Sequence, residues 1–371
     1  MADHNQKKKI IFSGGGTGGS VTPLLAVAEE IIADEKKGSN IRWELVFVGT
    51  FQGPEKELVS NFCSQTACLR FIPIISGKFR RYFSWSNILD LFKVFLAFFW
   101  SVWLLYRERP SALVSAGSFV SVPLVWAAAI LRIPVLVHQS DVRPGLANRL
   151  SAPWAKAITV AFEKSLLDFP EAVHTGNPIG CHQITEYQKE AIIKKYNISP
   201  DKPLLLVTGG GTGSVAINRL VSGAASQLSD YCQIIHITGR GKQTTNISQS
   251  GTYQSFEFLA HDEVFILMSL SDLIISRCGL AFLTELSCLG KAAILVPMPD
   301  SHQEENAEIF GVNKAAIVLD QADLAPDKLV ELVGQLLADK ERLDNLRAQA
   351  SKIMKRGGAK SLADIIKKIA R

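Results

Sequence analysis

The sequence predicts an α/β protein made of two Rossmann-like domains. The pentapeptide Gly-Gly-Gly-Thr-Gly occurs at residues 14–18 and again at residues 209–213. Each copy follows a short apolar run, residues 10–12 or 204–207, and precedes a segment able to form a helix. A strand, a glycine turn and a helix N-terminus in that order aim backbone N–H groups at one point, which suits a phosphate. One such unit in each half predicts two domains with a ligand between them.

Strands and helices alternate along both halves, which predicts parallel sheets with helices on both faces. In the first half we predict strands at residues 9–13, 44–48, 112–115, 135–138 and 157–160, and helices at residues 23–37 and 122–131. In the second half we predict strands at residues 204–208, 233–238, 273–276 and 293–297, and helices at residues 215–228, 280–289 and 303–310. Residues 339–371 are predicted to form two helices broken at Gly357 and Gly358.

Composition excludes several classes of protein. The 371 residues are 47% hydrophobic, which is enough for two packed domains, and the net charge of +5 is too small for a nucleic-acid signature. We therefore expect no nucleic-acid partner. The six cysteines form no Cys-x-x-Cys pair, which indicates free thiols in a reducing cytosol. The chain also has no Asp-x-Asp pair, so we predict no metal site.

Residues 94–106 form an apolar segment whose one polar residue is Ser101. The segment is too short to cross a bilayer, which needs ~20 apolar residues. Basic and aromatic residues, which suit a lipid headgroup boundary, precede it at Lys78, Phe79, Arg80, Arg81, Tyr82, Phe83 and Trp85. Two interpretations stay open: contact with a membrane surface, or an ordinary core helix after a solvated basic turn.

The glycine motifs do not indicate a dinucleotide or a Walker A site. Gly14, Gly16 and Gly19 fit G-x-G-x-x-G, but the next predicted strand runs into Gly49 and Thr50 without the acidic residue that would bind a ribose there. No Gly-Lys-Ser/Thr follows either glycine run. A carboxylate suited to a ribose diol appears instead at Glu285, in the helix that follows Gly279. The alternative for Glu285 is a helix cap or a surface ion pair.

The order of motifs resembles the MurG-type glycosyltransferases. The resemblance rests on the first glycine loop with its helix (residues 11–28), on residues 116–123, on residues 138–141, on residues 145–148, on residues 176–178, on the second glycine loop and on residues 276–307. It covers nearly the whole chain. It implies the GT-B fold, with two Rossmann-like domains facing each other across a cleft and a last helix returning to the first domain. It also implies transfer of N-acetylglucosamine from UDP-GlcNAc to lipid I, giving the peptidoglycan precursor lipid II.

The resemblance assigns roles residue by residue. Glu285 corresponds to the ribose-binding glutamate and Gln303 to a glutamine that contacts the donor sugar. The other implied donor-binding residues are Thr17, Gly18, Gly19, Asn148, Gly211, Thr212, Gly213, Ser214, Leu280, Ala281, Phe282, Leu283, Thr284 and Asn306. The loop Gly14, Gly15 and Gly16 is implied to face the acceptor diphosphate. UDP-GlcNAc is the donor substrate, and neither a cofactor nor a metal is expected.

The departures from the family pattern lie at the positions where the resemblance implies the catalytic residues. Ser20 replaces a histidine that is a candidate base, and a hydroxyl cannot take a proton near neutral pH. Gln139 and Asp141 replace a glutamate and an asparagine, and Gly180 replaces an arginine. We take Asp141 as the first candidate base and His138 as the second, although a turn cap and a satisfied strand-end histidine are their ordinary roles.

Three hypotheses for function follow from these departures. In the first, the chain is an active inverting transferase with a rearranged base. In the second, it is a related transferase with another donor sugar or lipid acceptor. In the third, it is a nucleotide-sugar-binding protein with little catalysis. The implied division is residues 1–176 for the acceptor and the membrane, residues 177–345 for the nucleotide sugar, and residues 346–371 packing back on the first domain. The implied location is peripheral, on the cytoplasmic face of an inner or plasma membrane with anionic lipid.

Overall fold

The structure, a computed structural model, describes residues 6–16, 18–37, 41–66, 69–74, 85–179, 184–243 and 251–370. The chain divides into two compact units, one of Met1–Gly180 with Lys355–Arg371 and the other of Cys181–Met354. Each unit contains one sheet whose strand pairs are all parallel. The prediction of two Rossmann-like domains is confirmed.

The first unit has a seven-stranded sheet of order β3-β2-β1-β4-β5-β6-β7. Its strands are β1 (Gln6–Ser13), β2 (Ile41–Thr50), β3 (Leu69–Ile74), β4 (Ala112–Ser115), β5 (Val135–Gln139), β6 (Ala157–Val160) and β7 (Val173–His174). Its first helices are α1 (Thr22–Lys36), α2 (Pro54–Thr66), α3 (Trp85–Glu108), α4 (Ser121–Ile130) and α5 (Leu146–Ser151). The strand order reverses between β1 and β4, and in such sheets ligands bind beyond the carboxyl ends at that point.

The second unit has a six-stranded sheet of order β10-β9-β8-β11-β12-β13. Its strands are β8 (Leu204–Thr208), β9 (Gln233–Ile237), β10 (Tyr253–Phe256), β11 (Leu273–Ser276), β12 (Ala293–Leu295) and β13 (Ile317–Val318). Its helices are α6 (Glu186–Lys195), α7 (Val215–Tyr231), α8 (His261–Leu270), α9 (Leu280–Leu289), α10 (Gln303–Val312), α11 (Pro326–Ala338) and α12 (Lys340–Ile353). The order reverses between β8 and β11, so the second glycine loop lies at the equivalent point.

The central strands β1 and β2 are buried on both faces toward their C-terminal ends, which explains the apolar runs there. In the first unit, Phe12 and Phe47 pack against α1 on one face of the sheet. Ile11, Val46 and Val48 pack on the other face with residues of α3 and α4. Helices on both faces therefore fix the sheet and leave its carboxyl edge to carry the loops.

The last helix, α13 (Gly358–Ile369), packs in the first unit although it follows the whole second unit in sequence. Leu362, Ala363 and Ile366 are buried in the core that contains α1. Lys367 pairs with Asp34 on α1, and this bond is the main cause that lowers the pKa of Asp34. The return to the first unit begins at Lys355 and not at residue 346, because Leu343 and Leu346 of α12 pack into the second core.

The structure contains elements that the sequence pattern did not predict. They are the strands β3, β7, β10 and β13 and the helices α2, α5, α8 and α11. The apolar segment at residues 94–106 belongs to α3, and no helix among the described residues is both long and apolar enough to span a membrane. Cys63, Cys232 and Cys278 are free, whereas Cys288 is disulfide-bonded, so the expectation of free thiols is wrong at that residue.

We expect Leu362→Ala to destabilise the first unit selectively. The leucine is fully buried, and truncating such a side chain costs about 3 kcal/mol. All six tryptophans lie in residues 1–180, so tryptophan fluorescence during urea unfolding reports on the first unit. Asp364→Ala, at an exposed position of the same helix, is the matched control and should change the free energy of unfolding by less than about 0.5 kcal/mol. Equal effects of the two variants would contradict the assigned packing of α13.

Candidate active site

The first glycine loop turns sharply where β1 ends. Gly16 has φ +80°, a left-handed conformation that costs other residues strain. A Cβ at Gly14 would clash with the carbonyl oxygen of Ser20. The glycines are thus required by the turn itself, whatever the loop binds.

A buried glutamate anchors this loop. Glu55 on α2 is fully buried and accepts hydrogen bonds from the backbone N–H of Gly16 (3.1 Å), the backbone N–H of Thr50 (2.7 Å) and the hydroxyl of Thr50. A Cβ at Gly53 would clash with its carboxylate. Sequence reasoning missed Glu55. The available signal was the two glycines, Gly49 and Gly53, that make room for the side chain.

Ser20 braces the same loop. Its hydroxyl accepts from the N–H of Gly15 (3.1 Å) and donates to the carbonyl oxygen of Gly15 (3.2 Å). Gly18 and Gly19 form a 3-10 turn with Ser20 that leads into α1, and Thr17 lies outside the described residues. Two N–H groups of the loop therefore have internal acceptors, and the roles predicted for these residues toward substrate stay predictions.

The loop after β4 lies beside the first glycine loop. Ser118, at φ +150°, donates from its hydroxyl to the carbonyl oxygen of Gly15 (3.0 Å). Gly117 has φ +79°, and a Cβ there would lie 2.9 Å from the side-chain oxygen of Asn148. Backbone strain of this kind persists only where the surroundings enforce it, and it concentrates at functional sites.

The candidate base His138 is enclosed in the first unit. It is fully buried at the end of β5, and its Nδ1 lies 2.9 Å from the hydroxyl of Thr159. Burial lowers the pKa of His138 to about 4, because the imidazolium would lose its hydration. The ring is therefore neutral at physiological pH and a weak acceptor of protons.

Gln139 shapes the turn that carries Asp141. Its amide nitrogen donates to the carbonyl oxygens of Asp141 (2.6 Å) and Arg143 (3.0 Å). Its amide oxygen accepts from Asn148 (2.6 Å), which also donates to the carbonyl oxygen of His138 (3.2 Å). Asn148 is buried and holds the backbone here, while Asp141 is partly exposed at the carboxyl edge of the sheet.

The second glycine loop is equally crowded. Cβ atoms at Gly209 and Gly213 would clash with backbone atoms of Ser214 and Thr238, while Gly211 and Thr212 are exposed at the tip of the loop. Ser214 caps α7 by accepting the N–H of Ile217 (3.3 Å).

Two cations support this loop, and sequence reasoning assigned neither of them. The ammonium of Lys242 donates to the carbonyl oxygens of Thr212 (2.8 Å) and Gly213 (3.1 Å). Arg277, directly after β11, donates to the hydroxyl of Ser214 (3.1 Å) and to the carbonyl oxygens of Val296 (3.1 Å) and Pro297 (2.7 Å). The position of Arg277 at the end of an apolar strand was the available signal.

The helix α9 carries six of the predicted donor-binding residues, from Leu280 to Glu285. Leu280, Leu283 and Thr284 are buried, whereas Ala281 and Phe282 are partly exposed. Glu285 is 7% exposed, and its Oε1 lies 2.8 Å from Nε2 of His261. Glu285 is thus neither a cap nor a surface ion pair of its own helix.

Two amide side chains of α10 hydrogen-bond to the backbone of the loops that follow β11 and β12. The side-chain oxygen of Gln303 accepts from the N–H groups of Cys278 (3.1 Å) and Met298 (3.2 Å), and Asn306 donates to the carbonyl oxygen of Cys278 (3.3 Å). The second unit therefore brings Gln303 and Glu285 to one edge of its sheet. Across the described ranges, no group of three or more His, Cys, Asp or Glu side chains comes together in a way that could hold a metal.

Comparisons with known proteins agree with this geometry. Residues 10–160 match the N-terminal domain of glycosyltransferase family 28, and residues 204–369 match its C-terminal domain. The solved structure of MurG from Acinetobacter baumannii superimposes with a TM-score of 0.72 at 24% identity, covering 97% of this chain and 99% of that one. A UDP-GlcNAc 2-epimerase from Neisseria meningitidis, bound to UDP-GlcNAc, gives 0.70 at 13% identity, covering 98% and 100%. The GT-B type of fold is therefore shared by different reactions.

A relative with higher sequence identity indicates which of these enzyme families the chain belongs to. The UDP-N-acetylglucosamine–N-acetylmuramyl-(pentapeptide) pyrophosphoryl-undecaprenol N-acetylglucosamine transferase of Clostridium botulinum (strain Hall) is 34% identical over 367 residues, which cover 97% of this chain and 99% of that protein. With that similarity along both domains, the chain belongs to the MurG-type N-acetylglucosaminyltransferases of glycosyltransferase family 28.

Proposed function

We propose that this chain transfers N-acetylglucosamine from UDP-GlcNAc to undecaprenyl-diphospho-MurNAc-pentapeptide, lipid I, and thereby makes lipid II for peptidoglycan. The observation that carries the proposal is the full-length similarity to the transferase of Clostridium botulinum. The buried carboxylate of Glu285 at the carboxyl edge of the second sheet supports it, since that edge is where ligands bind in such sheets.

The donor is assigned to the second unit. Glu285 accepts hydrogen bonds from the ribose diol. Gln303, on the next helix, contacts the donor sugar. The diphosphate faces the N-terminus of α9 at Gly279, where no side chain of the described residues provides a cap, and the tip of the second glycine loop. Helix N-termini and loop N–H groups favour an anion, so they stabilise the departing UDP.

The acceptor hydroxyl attacks the anomeric carbon from the face opposite UDP, and its proton passes to a base. Asp141 is our candidate, because it is partly exposed at the sheet edge. His138 is disfavoured because it is fully buried and burial lowers its pKa to about 4. Ser20 is assigned to loop support, since its hydroxyl is bonded to both backbone groups of Gly15.

The helix α3 supports a peripheral membrane location. Phe95, Phe99, Trp103 and Tyr106 are each more than half exposed and recur every three or four residues, so they form one apolar stripe. Arg107 lies over the ring of Trp103, with 5.4 Å between the guanidinium carbon and the ring centroid. Aromatic rings with adjacent arginines suit a headgroup boundary with anionic lipid. The predicted contacts at residues 78–83 lie outside the described residues, and Trp85 begins α3.

We expect Glu285→Ala to weaken UDP-GlcNAc binding on the order of 100-fold, because two hydrogen bonds to a charged group are lost. Calorimetric titration of the full chain measures this. Glu331→Gln, at an exposed position on α11, is the control and should bind as the parent does. Parental affinity in Glu285→Ala would remove Glu285 from the donor site.

We expect Asp141→Asn to lower kcat by roughly 10²-fold or more while the affinity for UDP-GlcNAc is kept, as for loss of a general base. The assay follows UDP release with a soluble lipid I analogue. Asp168→Asn, exposed in the same unit, is the control. Full turnover by Asp141→Asn would exclude this base. No turnover by the parent, with UDP-GlcNAc still bound, would favour another acceptor or a non-catalytic binding protein.

We expect Trp103→Ser to weaken binding to vesicles containing anionic lipid about tenfold, because the variant lacks the half-exposed indole that would insert into the membrane surface. Binding of the parent should also weaken as salt is added, because the basic groups are then screened. Tyr187→Ser, 81% exposed on α6, is the matched control for loss of an exposed aromatic ring. Vesicle sedimentation measures both effects, and binding that is insensitive to salt would contradict the role of anionic lipid.

A further inference from the structure

A histidine on the surface holds the buried carboxylate of the donor site. His261 is the first residue of α8, and its side chain is 63% exposed, whereas the side chain of Glu285 is 8% exposed. Their 2.8 Å contact joins Nε2 to Oε1. Among the described residues, His261 is the only one that hydrogen-bonds to the Glu285 side chain.

The contact favours the charged form of the histidine. The hydrogen bond that His261 donates to Glu285 is the largest cause that raises the pKa of His261 above its ordinary value, and burial opposes it. Asp262, on the same helix, has a carboxylate oxygen 3.7 Å from Nδ1 and adds to the rise. The imidazolium is thus kept to higher pH than in an ordinary histidine, and its charge is lost as pH rises through the raised pKa.

Among the described residues, the elements packed against α8 add no further ion-pair partner for His261 or Glu285. Strand β8 packs against α8 and carries no ionisable residue. On α6, Lys195 pairs with Glu263, the acid that follows Asp262. From α9 the titratable group is Glu285 itself. The charge on His261 is therefore set mainly by Glu285, with Asp262 as the second acid.

We propose that His261 is a positioning residue for donor binding, whose imidazolium fixes the Glu285 carboxylate in the orientation that accepts the ribose diol. The proposal rests on the proposed function of Glu285. A carboxylate offers about four acceptor positions, so one bond to His261 leaves room for two ribose hydroxyls. The imidazolium also carries positive charge near a nucleotide diphosphate, which favours binding of the protonated form.

The sign of the pH dependence follows from this arrangement. A charge-assisted hydrogen bond is roughly twice as strong as a neutral one, so the carboxylate is held most firmly when His261 is protonated. Affinity for UDP-GlcNAc is then greatest at low pH and falls about fivefold as pH rises through the pKa of His261. UDP-GlcNAc is the suitable probe, because its diphosphate has no proton to lose over this range.

The test is calorimetric titration of the full chain with UDP-GlcNAc between about pH 5 and about pH 8.5, a range that extends to both sides of the ordinary histidine pKa and further above it, because the pKa of His261 is raised. The parent should lose about fivefold in affinity across it. His261→Gln, which keeps a donor but cannot titrate, should bind at the weaker, high-pH level throughout. Asp262→Asn should keep the pH dependence, because the main partner is retained. A flat parental profile, or an unchanged profile in His261→Gln, would overturn the proposal.

A second measurement separates this proposal from the function of Glu285. In Glu285→Gln, the pKa of His261 measured by NMR should fall toward its ordinary value, and an unchanged pKa would overturn the pairing itself. If the parent fails to bind UDP-GlcNAc, or Glu285→Ala binds as tightly as the parent, both proposals fail. If Glu285→Ala loses binding while the parental profile is flat, only the role of His261 fails.

Discussion

The structure depends on the close approach of backbone at the carboxyl ends of two parallel sheets. The chain leaves β1 and β8 through turns in which Cβ atoms at Gly14, Gly209 and Gly213 would clash with neighbouring backbone. Because parallel strands all end at the same edge, each turn lies against the loop of an adjacent strand, after β4 in the first unit and after β9 in the second. This crowding places the candidate site residues and leaves little freedom for substitution.

Polar side chains form hydrogen bonds with the backbone groups of these crowded turns, and two of them lie at positions where we expect the chain to depart from the family pattern. Ser20 bonds to both backbone groups of Gly15, a role that its short hydroxyl fills within the turn. Gln139 donates to two carbonyl oxygens and accepts from Asn148, whereas an ionised glutamate offers only acceptors. These residues maintain the loops, and their replacement of a histidine and a glutamate does not by itself indicate lost activity.

The elements that could be predicted from the sequence are those that a local sequence pattern determines. The strands β4, β8 and β11 and residues 10–13 of β1 are short, mainly apolar runs close to glycine turns, and the helix after Gly279 drew attention to Glu285. The strand β3 was missed because Arg70 and Pro73 interrupt its apolar pattern, which an edge strand tolerates. The contacts of Glu55 with Gly16 and of His261 with Glu285 join residues 39 and 24 positions apart, and no local periodicity encodes such pairs.

The two glycine loops differ in the side chains that support them, although their sequences match. The side chain of Glu55 supports the first loop, where its partners are backbone N–H groups and a hydroxyl. Lys242 and Arg277 bring positive charge to the second loop, where their acceptors are neutral oxygens. A diphosphate at the second loop would therefore lie near two cationic side chains, whereas at the first loop Glu55 already accepts the N–H of Gly16. This difference supports placing the diphosphate of the nucleotide sugar on the second unit.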